Sequence, residues 1–384
     1  MSNLCHHPFT SVDITSNGTL RPCCKFMSRD LAEFNIKDGL DAYEKSQWLS
    51  DLRESFVKNE KPRGCERCWK EEDAGFESKR QMDKSILGHI DLDGFMNLPP
   101  EKRKLKYLSI SFGNLCNLAC RICGAHSSSR WASEMKKLNP DLKLKDLIYK
   151  WHQDPVHMQD IYEKTKEVIH VDVVGGEPML TEIPEHFDLL NKMKKEGQTK
   201  DTELHYTTNA TTYPSDANIG IWKAFKKVEI QMSIDDTGER FEYNRWPAKW
   251  DQVYRNIKKY QKLAYDNDNI QLSISHSLSA FTILYQDEFH TWCIRQGLPL
   301  PWVGLITDPY YYRVNIFNDE IQQKIREKLS QSKIKQVRQM EKYLIPKNDP
   351  NHMTAFRNFV SVFDEQRNQS FQKTFPELAE LIRY

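Results

Sequence analysis

The chain has 384 residues and a mass of 45.3 kDa, enough for two domains or one large barrel with an extension. Its 55 Lys and Arg against 54 Asp and Glu leave a formal charge of +1, which argues against a protein whose main task is neutralising nucleic-acid phosphates or an anionic membrane. No apolar run approaches the ~20 residues that span a bilayer, and the N-terminal MSNLCHHPFT has no charged segment leading into an apolar one, so the expectation is a cytoplasmic protein with no membrane partner.

In chain order, SVDITS and TLRPCC flank Asn17-Gly18 and read as a hairpin. Asp41 to Val57 places Tyr43, Trp48, Leu49, Leu52 and Phe56 near a helical stripe, which predicts one helix ending before KNEKPRGCERC. Residues 81–104 read as a connector closed by Pro99-Pro100. Six β-rich runs follow, at 107–112, 168–174, 204–208, 228–234, 270–275 and 302–306. Helical stretches at 183–195, 250–263 and 286–296 lie between them. Strand-then-helix units imply a parallel sheet with right-handed crossovers. After residue 317 the text is charged and helical, which predicts helices packing on the barrel. The expected fold is α/β: a small α+β module at 1–80, the connector, a partial (βα)6 TIM-like barrel at 105–317 and a helical extension at 318–384.

Of the nine cysteines, Cys5, Cys23, Cys24, Cys65, Cys68, Cys116, Cys120 and Cys123 fall in the first third. An odd count, no export signal and close C-x2-C and C-x3-C spacings point to metal-holding thiolates rather than disulfides. Cys116, Cys120 and Cys123 follow directly on the first barrel strand, at the face where such barrels hold their chemistry. Three thiolates leave one iron of a 4Fe-4S cubane open, whereas zinc favours four closed ligands.

Cys-x3-Cys-x2-Cys on the first loop of a βα barrel resembles the radical S-adenosylmethionine (SAM) enzymes. The resemblance implies that the reduced cluster cleaves S-adenosylmethionine to a 5′-deoxyadenosyl radical, which abstracts a substrate hydrogen. It extends to Gly175-Gly176-Glu177-Pro178 after the second strand, similar to the GGEP motif that receives the methionyl amino group. It further implies cofactor contacts from Asn209 and Ser233 at the ends of strands three and four. Arg245, in a segment similar to the family's R-G-x-G/S-F-D, is expected to pair with the methionyl carboxylate. Two positions depart from the family: Trp246-Pro247 replaces the glycine after the arginine, and Ile122 stands where an aromatic is usual.

Cys5-x12-Gly18-x4-Cys23, with Cys65-x2-Cys68 further on, resembles half of the SPASM and Twitch auxiliary-cluster motifs, here placed before the barrel. The resemblance implies a second 4Fe-4S cluster on Cys5, Cys23, Cys65 and Cys68, with Cys24 able to trade places with Cys23. A four-thiolate zinc site is the alternative. His6 and His7 could substitute as ligands but are expected to be solvated surface residues, and Cys293 is expected to be a buried apolar residue rather than a hydrogen donor. Tyr310 to Arg313 is expected either at the barrel mouth or in the core.

The relatives imply a flavodoxin- or ferredoxin-type electron donor and, most often, a peptide or protein substrate. A nucleotide, sugar or other small molecule is the alternative substrate. A non-catalytic, metal-stabilised binding or electron-transfer protein on the same scaffold is the alternative function.

Overall fold

The structure is a computed structural model and describes residues 3–27, 34–73, 75, 77–99, 102–345 and 350–384. The hairpin is present as β1 (Ser11–Ile14) and β2 (Leu20–Arg21), antiparallel with Asp13 opposite Arg21. Gly18 takes the turn at φ +84°, and a side chain there would meet Ile36 at 2.9 Å. The six expected strands are β3 (Tyr107–Ser111), β4 (His170–Val174), β5 (Glu203–Thr208), β6 (Lys227–Ser233), β7 (Ile270–Leu278) and β8 (Trp302–Leu305). The sheet order is β2-β1-β3-β4-β5-β6-β7-β8. In β5 and β6, buried and half-buried residues alternate, as a strand's two-residue period requires.

The chain forms two compact units. The first comprises residues 1–116, 139–206 and 214–229. In it β1, β3 and β4 pair in parallel, and the register aligns Asp13 with Ser109 and Ser109 with Asp172. The N-terminal hairpin therefore adds a strand to the barrel sheet, a pairing that sequence spacing did not announce. The single helix expected over 41–57 is two, Leu40–Glu44 and Gln47–Val57. Ser46 breaks it: its backbone is extended and its hydroxyl accepts from the Leu49 N–H, the role of an N-cap. The connector holds short helices at Lys84–Leu87 and Leu92–Asn97, while Pro100 of its closing Pro-Pro lies outside the described residues.

The second unit comprises residues 117–138, 207–213 and 230–384. Here β7 and β8 pair in parallel. The core of this unit joins Tyr243, Phe281 and Tyr312 to Phe356, Phe371 and Phe375 of the C-terminal helices. Asp319–Ser330 and Pro350–Arg367 are the long helices of that extension. Tyr312 is buried in this core, Tyr311 stacks on Phe359 at 4.1 Å, and Tyr310 is exposed. Cys293 is fully buried, and burial pushes its thiol up to about 12. Among the described residues no helix is long and apolar enough to cross a membrane.

Candidate cluster and cofactor sites

In the first unit Cys5, Cys23, Cys65 and Cys68 line one cavity, together with Phe56 and Trp69. Cys5 precedes the helical turn His7–Thr10, Cys23 follows β2, and Cys65 and Cys68 straddle the start of the helix Glu66–Asp73. Met27 N–H donates to the Gly64 carbonyl at 2.9 Å, tying the Cys23 loop to the Cys65 turn. Gly64 must be glycine, since a side chain there would lie 2.1 Å from the Phe26 ring. Burial raises all four thiol pKa values, and the charges of neighbouring cysteines raise those of Cys5, Cys23 and Cys65 further. Cys5 is pushed up to about 12, and Cys23 rises through burial and then through the charges of Cys24, Cys5, Cys65 and Cys68. Cys65 rises through burial, then Cys5 and Cys68, and Cys68 through burial.

Four sulfurs on one cavity wall, three of them raised further by the charges of the others, fit a tetrathiolate centre, because a cationic core reverses the sign of that interaction. As they stand, no group of three or more His, Cys, Asp or Glu among the described residues converges tightly enough for a single metal ion. Cys24 does not line the cavity; burial raises its thiol, and the charges acting on it are Lys79, Asp13, Asp172 and Lys25. His7, expected on the surface, is buried; its two ring nitrogens engage Ser11 and Asp83 at 3.0 and 2.8 Å.

Also in this unit, Cys116 follows a turn built by Gly113 and Asn114. Gly113 has φ +69°, and a side chain there would meet the Tyr149 carbonyl at 2.2 Å. Asn114 accepts from Tyr149 N–H at 2.9 Å and donates to the Leu147 carbonyl at 2.7 Å. The Gly175-Gly176-Glu177-Pro178 turn packs against the same stretch. Both glycines have positive φ; a side chain on Gly176 would lie 2.4 Å from the Leu115 carbonyl, and one on Gly175 2.3 Å from Ser111 Oγ. Glu177 N–H donates to Leu115 O at 2.8 Å, and its buried carboxylate accepts from Met179 N–H at 3.0 Å.

Cys120 and Cys123 belong to the second unit. Burial raises both thiols, opposed at Cys120 by the Arg245 charge; Cys123 reaches about 12, with Cys120 as the second cause. Arg245 is buried, with Nη1 4.0 Å from Cys120 Sγ and Nε ion-paired to Asp235 at 2.8 Å. It is therefore beside the cysteine loop with one face already committed, and guanidinium donors remain for a further acceptor. Asn209 donates to Asn117 Oδ1 at 2.9 Å and accepts from Thr211, which fixes it beside the residue after Cys116 in the sequence. Ser233 ends β6, half-buried.

Sequence reading missed two groups. In the first unit Asp13, Ser109, Asp172 and His205 form a polar row across four strands. Ser109 donates to Asp13 at 2.6 Å, Tyr107 OH to Asp172 at 2.8 Å, and His205 Nδ1 pairs with the other Asp172 oxygen. Lys79 reaches Tyr107 OH at 3.1 Å and Asp83 at 2.7 Å. The period-2 pattern of β3 and β4 was the available signal, since it puts polar residues on a shared buried face. In the second unit Arg121, between two of the cysteines, is buried over the Tyr243 ring at 3.7 Å and paired with Asp364 at 2.6 Å. No local signal predicts that pairing.

Residues 110–275 match the family model described as the Radical SAM superfamily. None of the curated proteins matches the chain. Among solved structures the chain is similar to native anSMEcpe with bound AdoMet, at 15% identity over 67% of this chain and 60% of that one, with a TM-score of 0.41. It is also similar to Streptococcus suis SuiB, at 14% identity over 80% of this chain and 61% of that one, with a TM-score of 0.36. The chain thus spans about three fifths of the length of these structures.

Proposed function

We propose that this chain, a member of the radical SAM superfamily through residues 110–275, binds S-adenosylmethionine at a 4Fe-4S cluster held by Cys116, Cys120 and Cys123, and abstracts hydrogen from a peptide or protein side chain. The supporting observation is the glycine turn: Glu177 N–H is bonded to the carbonyl of Leu115, next to Cys116, and Gly176 lies too close to that carbonyl for any side chain. This close approach supports reading Gly175 to Pro178 as the cradle for the methionyl amino group. Arg245 and Asn209 offer donors to carboxylate and ribose oxygens, and Ser233 a hydroxyl. When bound, cluster and cofactor together supply reductive carbon–sulfur cleavage and hydrogen abstraction. Glu177 is buried within the first unit, and Cys120 and Arg245 within the second.

A second 4Fe-4S cluster is assigned to Cys5, Cys23, Cys65 and Cys68, with Cys24 left out because it is absent from the cavity wall. The peptide class rests on the likeness of this cysteine pattern to SPASM and Twitch modules, and the electron donor is a flavodoxin or ferredoxin. Iron and acid-labile sulfide counts after anaerobic reconstitution test the ligand sets. About eight of each are expected for two cubanes, and about four after Cys120→Ala. Zinc in the protein with only four irons would refute the second cluster.

A further inference from the structure

The cysteine loop has no helix or strand of its own between residues 117 and 128, so its shape must come from what it touches. Two of its backbone N–H groups are anchored outside the loop, Ala119 N–H to Trp246 O and Arg121 N–H to Asn244 O, both at 2.8 Å, and Ser128 Oγ donates to the Leu118 carbonyl at 2.5 Å. Of its side chains, Asn117 is held by Asn209 and Thr211, both at 2.9 Å, while Arg121 runs to the C-terminal segment. Arg121 Nη2 donates to Asp364 Oδ1 at 2.6 Å and to Gln369 at 3.0 Å, while Nε reaches the Tyr243 carbonyl at 3.3 Å. Asp364 is in turn held by Tyr243 OH at 2.7 Å and by Phe371 N–H at 2.6 Å. A second line lies alongside. Trp131 Nε1 donates to the Cys120 carbonyl at 2.6 Å, and Arg367 covers the Trp131 ring at 5.1 Å while paired with Glu134 at 2.6 Å.

Burying these two ion pairs contributes little net stability compared with apolar packing of the same volume. What they provide is directional: a planar guanidinium with several fixed acceptors permits one loop geometry, and an apolar side chain would permit several. We propose that Asp364, acting through Arg121, and Arg367, acting through Trp131, are positioning residues, and that the helix Pro350–Arg367 is the brace that sets the spacing and the electrostatics of Cys120 and Cys123. This rests on the reading of those cysteines as cluster ligands. Asp364 also neutralises Arg121. Removing its charge leaves an uncompensated cation near the cluster, which favours the reduced, more negative form.

The test uses the reconstituted full chain carrying Asp364→Asn, with Glu377→Gln as control, since Glu377 pairs with Lys328 elsewhere on the extension. Two readouts are taken: iron release to a ferrous chelator, and the midpoint potential of the electron paramagnetic resonance signal that responds to S-adenosylmethionine. Asp364→Asn is expected to release iron roughly tenfold faster, the usual scale for an outer-shell partner, and to raise the midpoint. The control is expected to match wild type. If Asp364→Asn does not fold, Tyr243→Phe removes only the hydroxyl that holds Asp364, and the same directions are expected at smaller size. Wild-type release and potential in the folded variant, or equal acceleration in Glu377→Gln, would overturn the proposal alone. A wild-type protein with no cofactor-responsive signal would defeat the ligand reading beneath it as well.

Discussion

Gly176 and Gly197 share a left-handed backbone, at φ +54° and +75°, but not their surroundings. A side chain at Gly176 meets a backbone carbonyl at 2.4 Å, while at Gly197 nothing lies within 4 Å. Gly197→Ala is expected to cost only the left-handed penalty, about 1 kcal/mol. Gly176→Ala should cost about 1–3 kcal/mol from its strained backbone and the displaced contact together, and should also weaken S-adenosylmethionine binding. Urea unfolding and cofactor titration of both variants check this; equal losses would mean that the close approach at Leu115 is unimportant. At this scale the sequence was most legible where chemistry is local. The two cysteine sets and the GGEP turn stand out by spacing. The choice between Cys23 and Cys24 did not, because adjacent residues differ only in which way the folded chain turns them, and the fold places Cys23 alone of the two on the cavity wall.

Strands were legible as elements because their apolar positions alternate, and β3 to β8 lie close to the expected runs. The cap at Ser46 was missed because the apolar stripe continues across it. The cross-strand row is also an element-scale property, since it exists only in register. Within it, burial would raise Asp172, but the charge and hydrogen bond of His205 outweigh burial and hold it well below the usual 3.8. His205 is the mirror case: burial opposes its charge, yet Asp172 carries it above 6.5. The signs fix a window. The depressed Asp172 contributes stability above about pH 3.8, lost as pH falls through its folded value. The raised His205 contributes below about pH 6.5, lost as pH rises through its folded value. Asp172→Asn should therefore cost most between about pH 4 and 6.5, on the order of 1–3 kcal/mol, and less on either side. Denaturation series at several pH values measure it, and a pH-independent loss would contradict the pairing.

Across the whole molecule the α/β core and the helical extension were readable, because each is a run of one kind of pattern. The long-range pairings were not. β1 lies parallel to β3 although nearly a hundred residues separate them, and Arg121 finds Asp364 at a separation of 243 residues. Complementarity at such distances leaves no periodicity for a sequence to display. The central claim is that the Cys116, Cys120 and Cys123 loop leaves one cluster iron open to S-adenosylmethionine. Anaerobic incubation of the reconstituted protein with dithionite and S-adenosylmethionine, followed by chromatography, tests it most directly. The account predicts 5′-deoxyadenosine from the wild type and none from Cys120→Ala; fully loaded wild-type protein that forms none would contradict it.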